Sequence, residues 1–224
     1  MAAPRDIPFL RSALREAAAH QHGPTALRFP NESTHPVTPA VGPFGTVDVL
    51  ASSPHRDVLL VSFGTMAATW LEAAQKLTAR GLGVTVVDPR WVKPVPPEVI
   101  SLADGFRLIG TVEENTLVGG MGTAVTQALS KAGIRQAVCT FGLPEGFLKY
   151  GSRPDVLAFS GLTPHYIADR LMNILLATEL EGKSPQHLDM SGRPAPSTPW
   201  GRLIASFNLQ NAVPPLPGNA RRAL

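Results

Sequence analysis

The sequence predicts an α/β protein: a three-layer α/β/α arrangement around a mostly parallel sheet. A short αβ remnant precedes it and an irregular tail follows. Three observations carry this. Apolar, β-branched runs recur at Val58-Leu59-Leu60-Val61-Ser62-Phe63, Gly83-Val84-Thr85-Val86-Val87 and Arg107-Leu108-Ile109-Gly110-Thr111-Val112, as in strands covered on both faces. Helical stretches alternate with them. The connections are too short for anything but crossovers, which favour parallel pairing and helices on both faces.

The elements follow in order. Asp6 is an N-cap with Pro8 in the first turn, and Phe9, Leu10, Ala13, Leu14 and Ala17 keep helical spacing for about three turns. Thr25-Ala26-Leu27-Arg28-Phe29 reads as a strand stopped by Pro30. Asn31 to Pro43 reads as a connector. We therefore expect three parts: 1–45, the end of a larger upstream domain plus linker; 46–180, a complete α/β domain; and 181–224, a tail.

Within the middle part, Thr46 to Ala51 is a short strand. Ala67 to Arg80 is a helix ending at Gly81, a favourable residue just past a helix end. After the strand at 83–87 comes Asp88-Pro89-Arg90-Trp91-Val92-Lys93-Pro94, where the prolines hold the chain extended until a short helix, Pro97 to Ala103. Gly119-Gly120-Met121-Gly122 opens a helix to about Ala132. Gln136 to Thr140 is a further strand, Leu143 to Ser160 is irregular, and Pro164 starts a helix to about Leu180. Seven prolines crowd the last 43 residues, which we expect to be disordered or loosely attached.

Composition narrows the function. Hydrophobic residues make up 44% of 224, enough for a core, while charged residues are 17% and the net charge is +3. No basic run suggests a nucleic-acid groove, and no apolar stretch is long enough to span a membrane. The lone Cys139 lies in an apolar run and reads as a buried thiol, so a reducing cytoplasm is expected. The N-terminus lacks the apolar core of a secretory signal.

Local chemistry is sparse. The glycines Gly119, Gly120 and Gly122 at a strand–helix junction invite a phosphate-binding reading, but no Gly-x-Gly-x-x-Gly is present. Close packing and a tight turn are the favoured role. Glu113 and Glu114 are adjacent on a strand end, so they point to opposite faces and form no acid–base dyad. One of them is expected to cap a helix or pair with Arg90. The six histidines are scattered without metal-ligand spacing, and Ser62 has no nucleophile elbow. No catalytic residue and no metal ligand is assigned.

The order of several segments resembles the 1-deoxy-D-xylulose-5-phosphate synthases, a transketolase-like family. The matching stretches are Ala3-Pro4-Arg5-Asp6, Gly23 to Pro30, Val87 to Pro94, Thr111 to Asn115 with Gly119 to Gly122, and Phe141-Gly142-Leu143-Pro144 with Phe147. The resemblance spans about residues 1 to 178, and the tail from Gly182 has no counterpart in it. It implies the end of a pyrimidine-binding domain followed by a transketolase-type C-terminal domain. It also implies an enzyme that uses thiamine diphosphate and Mg²⁺ to condense pyruvate with glyceraldehyde 3-phosphate for isoprenoid synthesis. The metal motif and the cofactor-activating glutamate belong to parts absent here. The chain is therefore expected to bind no cofactor and to be inactive alone. It would act as a homodimer or with a separate chain carrying the missing domains, or serve as a non-catalytic dimerisation module. Asn31 stands where the family has a basic phosphate-binding residue, with Glu32 beside it. A lost charged hydrogen bond to phosphate is worth ~1.5–3 kcal/mol. Arg90, Glu113, Gly119, Gly120 and Gly122 are expected to be structural or interface residues.

Overall fold

A computed structural model describes residues 1–30, 36–148 and 150–181, without the side chains of 179–181. Asn31 and the tail beyond Glu181 therefore lie outside the described residues. The described residues belong to one compact unit.

The six-stranded sheet has the order β1-β2-β4-β3-β5-β6. Its strands are β1 (Gly42–Phe44), β2 (Val47–Ala51), β3 (Val58–Ser62), β4 (Val84–Pro89), β5 (Leu108–Thr116) and β6 (Ala137–Leu143). The run β4-β3-β5-β6 is parallel, and β2 and β1 add an antiparallel edge. The helices are α1 (Ile7–Ala19), α2 (Ala67–Thr78), α3 (Pro97–Ala103), α4 (Met121–Lys131), α5 (Arg153–Phe159) and α6 (Pro164–Glu181).

Strands β3 and β4 are buried along their whole length, as expected of strands covered on both faces. On one face, Val58, Leu60, Val86 and Val112 pack with Trp70 and Leu77 of α2 and Ile167 and Leu171 of α6. On the other, Leu59, Val61, Val87 and Ile109 pack with Val99 of α3 and Val125 and Leu129 of α4. Trp70 is fully buried, donates its indole N–H to Val61 O at 2.9 Å, and meets Phe141 edge-on at 5.6 Å. Gly110 makes this possible. A Cβ there would lie 2.9 Å from Leu60 Cδ2 and 3.3 Å from the Trp70 ring.

Three expectations need correction. Thr25 to Phe29 joins no named strand among the described residues: an isolated parallel bridge links Leu27 to Ala2. The connector before Phe44 contains β1, which forms because Gly42 to Phe44 finds the free edge of β2. The region 143–160 is not wholly irregular. Ser152 caps α5 by accepting from Asp155 N, and Pro154 sits in the first turn. Strand β5 runs to Thr116 and carries Glu113 and Glu114 at its end, where the sequence places them.

Candidate functional site

In open parallel sheets, ligands gather at the carboxyl ends of strands where successive helices depart to opposite faces. That junction lies between β3, followed by α2, and its neighbours β4 and β5, followed by α3 and α4. Three clusters of charged side chains stand along this edge.

The first closes the end of β5. Gly119 turns the chain at φ 72°, and α4 starts at Met121 with no side-chain cap of its own. Glu113 supplies one from the strand: its carboxylate accepts from Met121 N at 2.9 Å and Gly122 N at 2.8 Å, and the residue is 3% exposed. The helix dipole favours this placement. The neighbouring glycines leave room for the carboxylate. A Cβ at Gly120 would sit 2.4 Å from Glu113 Oε1, and one at Gly122 would sit 2.7 Å from Thr111 Oγ1. A diphosphate does not fit this helix end, because an anion of the chain's own already takes its N–H groups. Among the described residues no group of three or more His, Cys, Asp or Glu could hold a metal ion. These features do not fit the diphosphate and Mg²⁺ end of thiamine diphosphate.

The second cluster lies at the junction itself. Glu114, on the opposite face from Glu113, receives Arg153 of α5 through Nε at 2.7 Å and Nη2 at 2.6 Å. The same Nη2 donates to Thr65 Oγ1 at 3.1 Å, in the turn after β3. Arg28 donates to the Glu114 backbone carbonyl. This bidentate pair ties α5, β5 and the 3-10 turn at Gly64–Met66 together.

The third cluster closes the end of β4. Asp88 is fully buried, and its Oδ2 accepts from Arg5 Nη1 at 2.8 Å, while Oδ1 has no hydrogen-bond partner. Arg5 also donates to Asp48 Oδ2 at 2.7 Å and Thr38 O at 3.0 Å. Burial pushes the Asp88 carboxyl up to about 7; Arg5 pulls against this, and Asp48 and Asp6 add to it. Burial opposes the charge of Arg5, yet Asp88 and Asp48 together raise its pKa above the ordinary value. Asp6 caps α1 by accepting from Phe9 N at 2.9 Å and holds Thr38 N at 3.0 Å.

Arg90 does not reach Glu113. It pairs with Glu16 of α1, donates to Ser12 Oγ at 3.0 Å, and lies 5.8 Å from the centre of the Phe9 ring. Trp91 donates to Glu16 Oε2 at 2.9 Å, and this bond, ahead of Ser12 and Arg90, holds the Glu16 carboxylate below its usual range. An open cleft of about 300 Å³ runs beside this cluster, lined among others by Arg5, Asp48, Thr38 and Arg90.

Sequence reasoning missed Arg5, Asp48 and Asp88 as a unit. The signal was present in part: Asp48 between Val47 and Val49, and Asp88 directly after Val87, place carboxylates in buried runs, and such groups need a partner. Nothing local points to Arg5 as that partner. Cys139 is buried, and burial raises its thiol above the ordinary range, with Arg170 pulling the other way.

The family model described as "Transketolase, C-terminal domain" matches residues 45–167. The chain belongs to that family. It is 47% identical over 204 residues to 1-deoxy-D-xylulose-5-phosphate synthase 1 of Streptomyces coelicolor, covering 91% of this chain and 30% of that protein. The corresponding synthase of Frankia casuarinae is 47% identical over 176 residues, covering 77% of this chain and 27% of the relative. The chain thus spans under a third of the length of these relatives and corresponds to their C-terminal portion. A match over 204 residues must include part of the stretch from Gly182 onward, which corrects the expectation that the tail has no counterpart. Among solved structures, a split-gene transketolase described as an inactive beta4 tetramer superposes with a TM-score of 0.67 at 28% identity, over 78% of this chain and 57% of that one. A transketolase mutant from Pichia stipitis shares the fold, with a TM-score of 0.61 at 19% identity over 82% of this chain and 26% of that one.

Proposed function

We propose that this chain is the C-terminal module of a 1-deoxy-D-xylulose-5-phosphate synthase, inactive until joined by the cofactor-binding portions. The observation that carries this is the 47% identity over 91% of the chain against only 30% of the relative. The geometry supports it. At the sheet edge, Glu113 holds the helix end where an anion would bind, and Arg153 with Thr65 encloses Glu114. The chain's own groups close the region where a ligand would be held. Residues 1–45 would then be the end of the pyrimidine-binding domain plus linker, and 46–180 the C-terminal domain. Thiamine diphosphate would supply the carbanion chemistry once the other portions hold both of its ends. Asn31, at the family's phosphate-binding position, would weaken the hold on glyceraldehyde 3-phosphate. Arg90, Glu113, Gly119, Gly120 and Gly122 would act as structural or interface residues in a cytoplasmic homodimer.

A second reading is favoured by the split-gene transketolase. Here the chain is a small subunit that completes an active site with a separate chain. The described residues include no helix long and apolar enough to cross a membrane, which is compatible with either reading. Calorimetric titration of the purified chain with thiamine diphosphate and Mg²⁺ tests the shared claim. No heat of binding is expected. Tight binding would overturn it.

A further inference from the structure

Residues 1–30 are joined to the sheet by polar contacts more than by apolar ones. Ala2, Phe9 and Ala13 form a small core with Leu27 and Trp91 against it, much smaller than the clusters on the two faces of the sheet. Across the joint, Arg5 holds Asp48 and Asp88, Glu16 holds Arg90 and Trp91, and Arg28 reaches Glu114 O. Met1 O accepts from Val92 N at 2.9 Å and from Lys93 N at 3.4 Å. A region with few buried apolar contacts opens at a lower cost than the whole fold.

One member of this joint is out of balance. Three carboxylates, Asp6, Asp48 and Asp88, gather on the single guanidinium of Arg5. Asp88 is the deepest of them, and its Oδ1 has no partner. The charged groups that face it are Arg5 and Asp6 from the segment before α1 and Asp48 from β2. Strand β3, its other neighbour in the sheet, brings no ionisable side chain, and Arg90, two residues on, is turned to Glu16. A proton on the bare oxygen removes the excess negative charge while Oδ2 still accepts from Arg5. Without that proton, relief comes when the joint opens and water reaches the carboxylate.

We propose that Asp88 is a proton-operated latch between residues 1–30 and the sheet. Protonated, it keeps the joint shut; ionised, it lets the joint open while the α/β body stays folded. The latch is independent of which functional reading holds, since both keep the two parts in one chain. Its direction follows from linkage. Asp88 titrates at about 7 in the closed joint and near the ordinary carboxyl value of about 4 once open. Opening therefore releases a proton between those values. The opening equilibrium rises by up to about tenfold per pH unit from about pH 4 to about pH 7, and levels off above.

Hydrogen exchange on the full chain between about pH 5 and about pH 8, corrected for the intrinsic rate, tests this. The reporters are the Val92 and Lys93 amides, which cross the joint to Met1 O, against the amides of the central strands β3 and β5. At every pH the joint amides should be at least about tenfold less protected than those strands, through an opening the body does not share. Their protection should fall on the order of a hundredfold from about pH 5 to about pH 7 and then hold steady. Asp88→Asn should remove the trend. Asp48→Asn, which takes away a charge that keeps the proton on Asp88, should move the levelling point to lower pH, and it carries the test if Asp88→Asn does not fold. Joint amides that match the central strands would mean that the joint opens only with the whole fold, and would overturn the latch. So would a pH trend that survives Asp88→Asn, or a levelling point that Asp48→Asn leaves in place.

Discussion

Two buried carboxylates, on strands with β3 between them, solve the same problem differently. Glu113 is satisfied by backbone N–H groups 8 and 9 residues further along the chain. Asp88 depends on Arg5, 83 residues away, and even then leaves one oxygen without a partner. The first solution is complete within one strand–loop–helix unit and belongs to the domain itself. The second is a clasp between the N-terminal segment and the sheet, and it holds only while both ends are folded together. Burying a charge is tolerable when local geometry supplies donors, and becomes a long-range constraint when it does not.

Breaking the clasp should have the largest effect. Arg5→Ala strands a buried carboxylate, and removing one partner of a buried pair costs about 3–5 kcal/mol. Urea unfolding should show that loss at pH 8 and a smaller one at pH 5, where Asp88 can take up a proton. Equal losses at both would mean that Asp88 stays ionised throughout.

The clasp should also set the pH response. The folded pKa of Asp88, about 7, lies above the ordinary carboxyl value, so the folded chain holds the extra proton between them. Its contribution is fully present below about pH 4 and is lost as the pH rises through 7, with a slope of at most about 1.4 kcal/mol per pH unit. Asp88→Asn should flatten this part of the stability profile. An unchanged slope would assign it to another group.

The β5 end should respond more mildly. Glu113→Ala leaves two helix N–H groups without their acceptor and should cost about 1–3 kcal/mol by the same unfolding assay. The smallest effect is expected for Arg153→Ala. Its pair with Glu114 is partly solvated, and its loss should cost about 1 kcal/mol or less. A larger loss would make the junction a structural keystone comparable to the clasp.

The regular elements were legible because their signals are local. Asp6 with Pro8, Gly81 and Pro164 mark helix ends wherever they occur, and the Val58 and Val84 runs could only be buried strands. What escaped depends on distance. Strand β1 exists because β2 offers an edge, and Thr25 to Phe29 is held, among the described residues, by an isolated bridge to Ala2 and not by a strand. Helix α5 was missed for a different reason: seven residues are too few to show a period, so only Ser152 and Pro154 announced it. At the site, adjacent Glu113 and Glu114 were correctly separated by strand alternation. The partner of Arg90 was not, since no spacing rule connects positions 16 and 90.

The indoles of Trp70 and Trp91 sit in these two worlds. Trp70 is sealed in the core against Phe141, while Trp91 binds the Glu16 carboxylate where α1 meets the sheet. Fluorescence from one position therefore follows the melting of the sandwich, and from the other the release of the amino-terminal arm. A pair of single-tryptophan variants would turn the protein into its own optical gauge, timing whether the arm lets go before the body does.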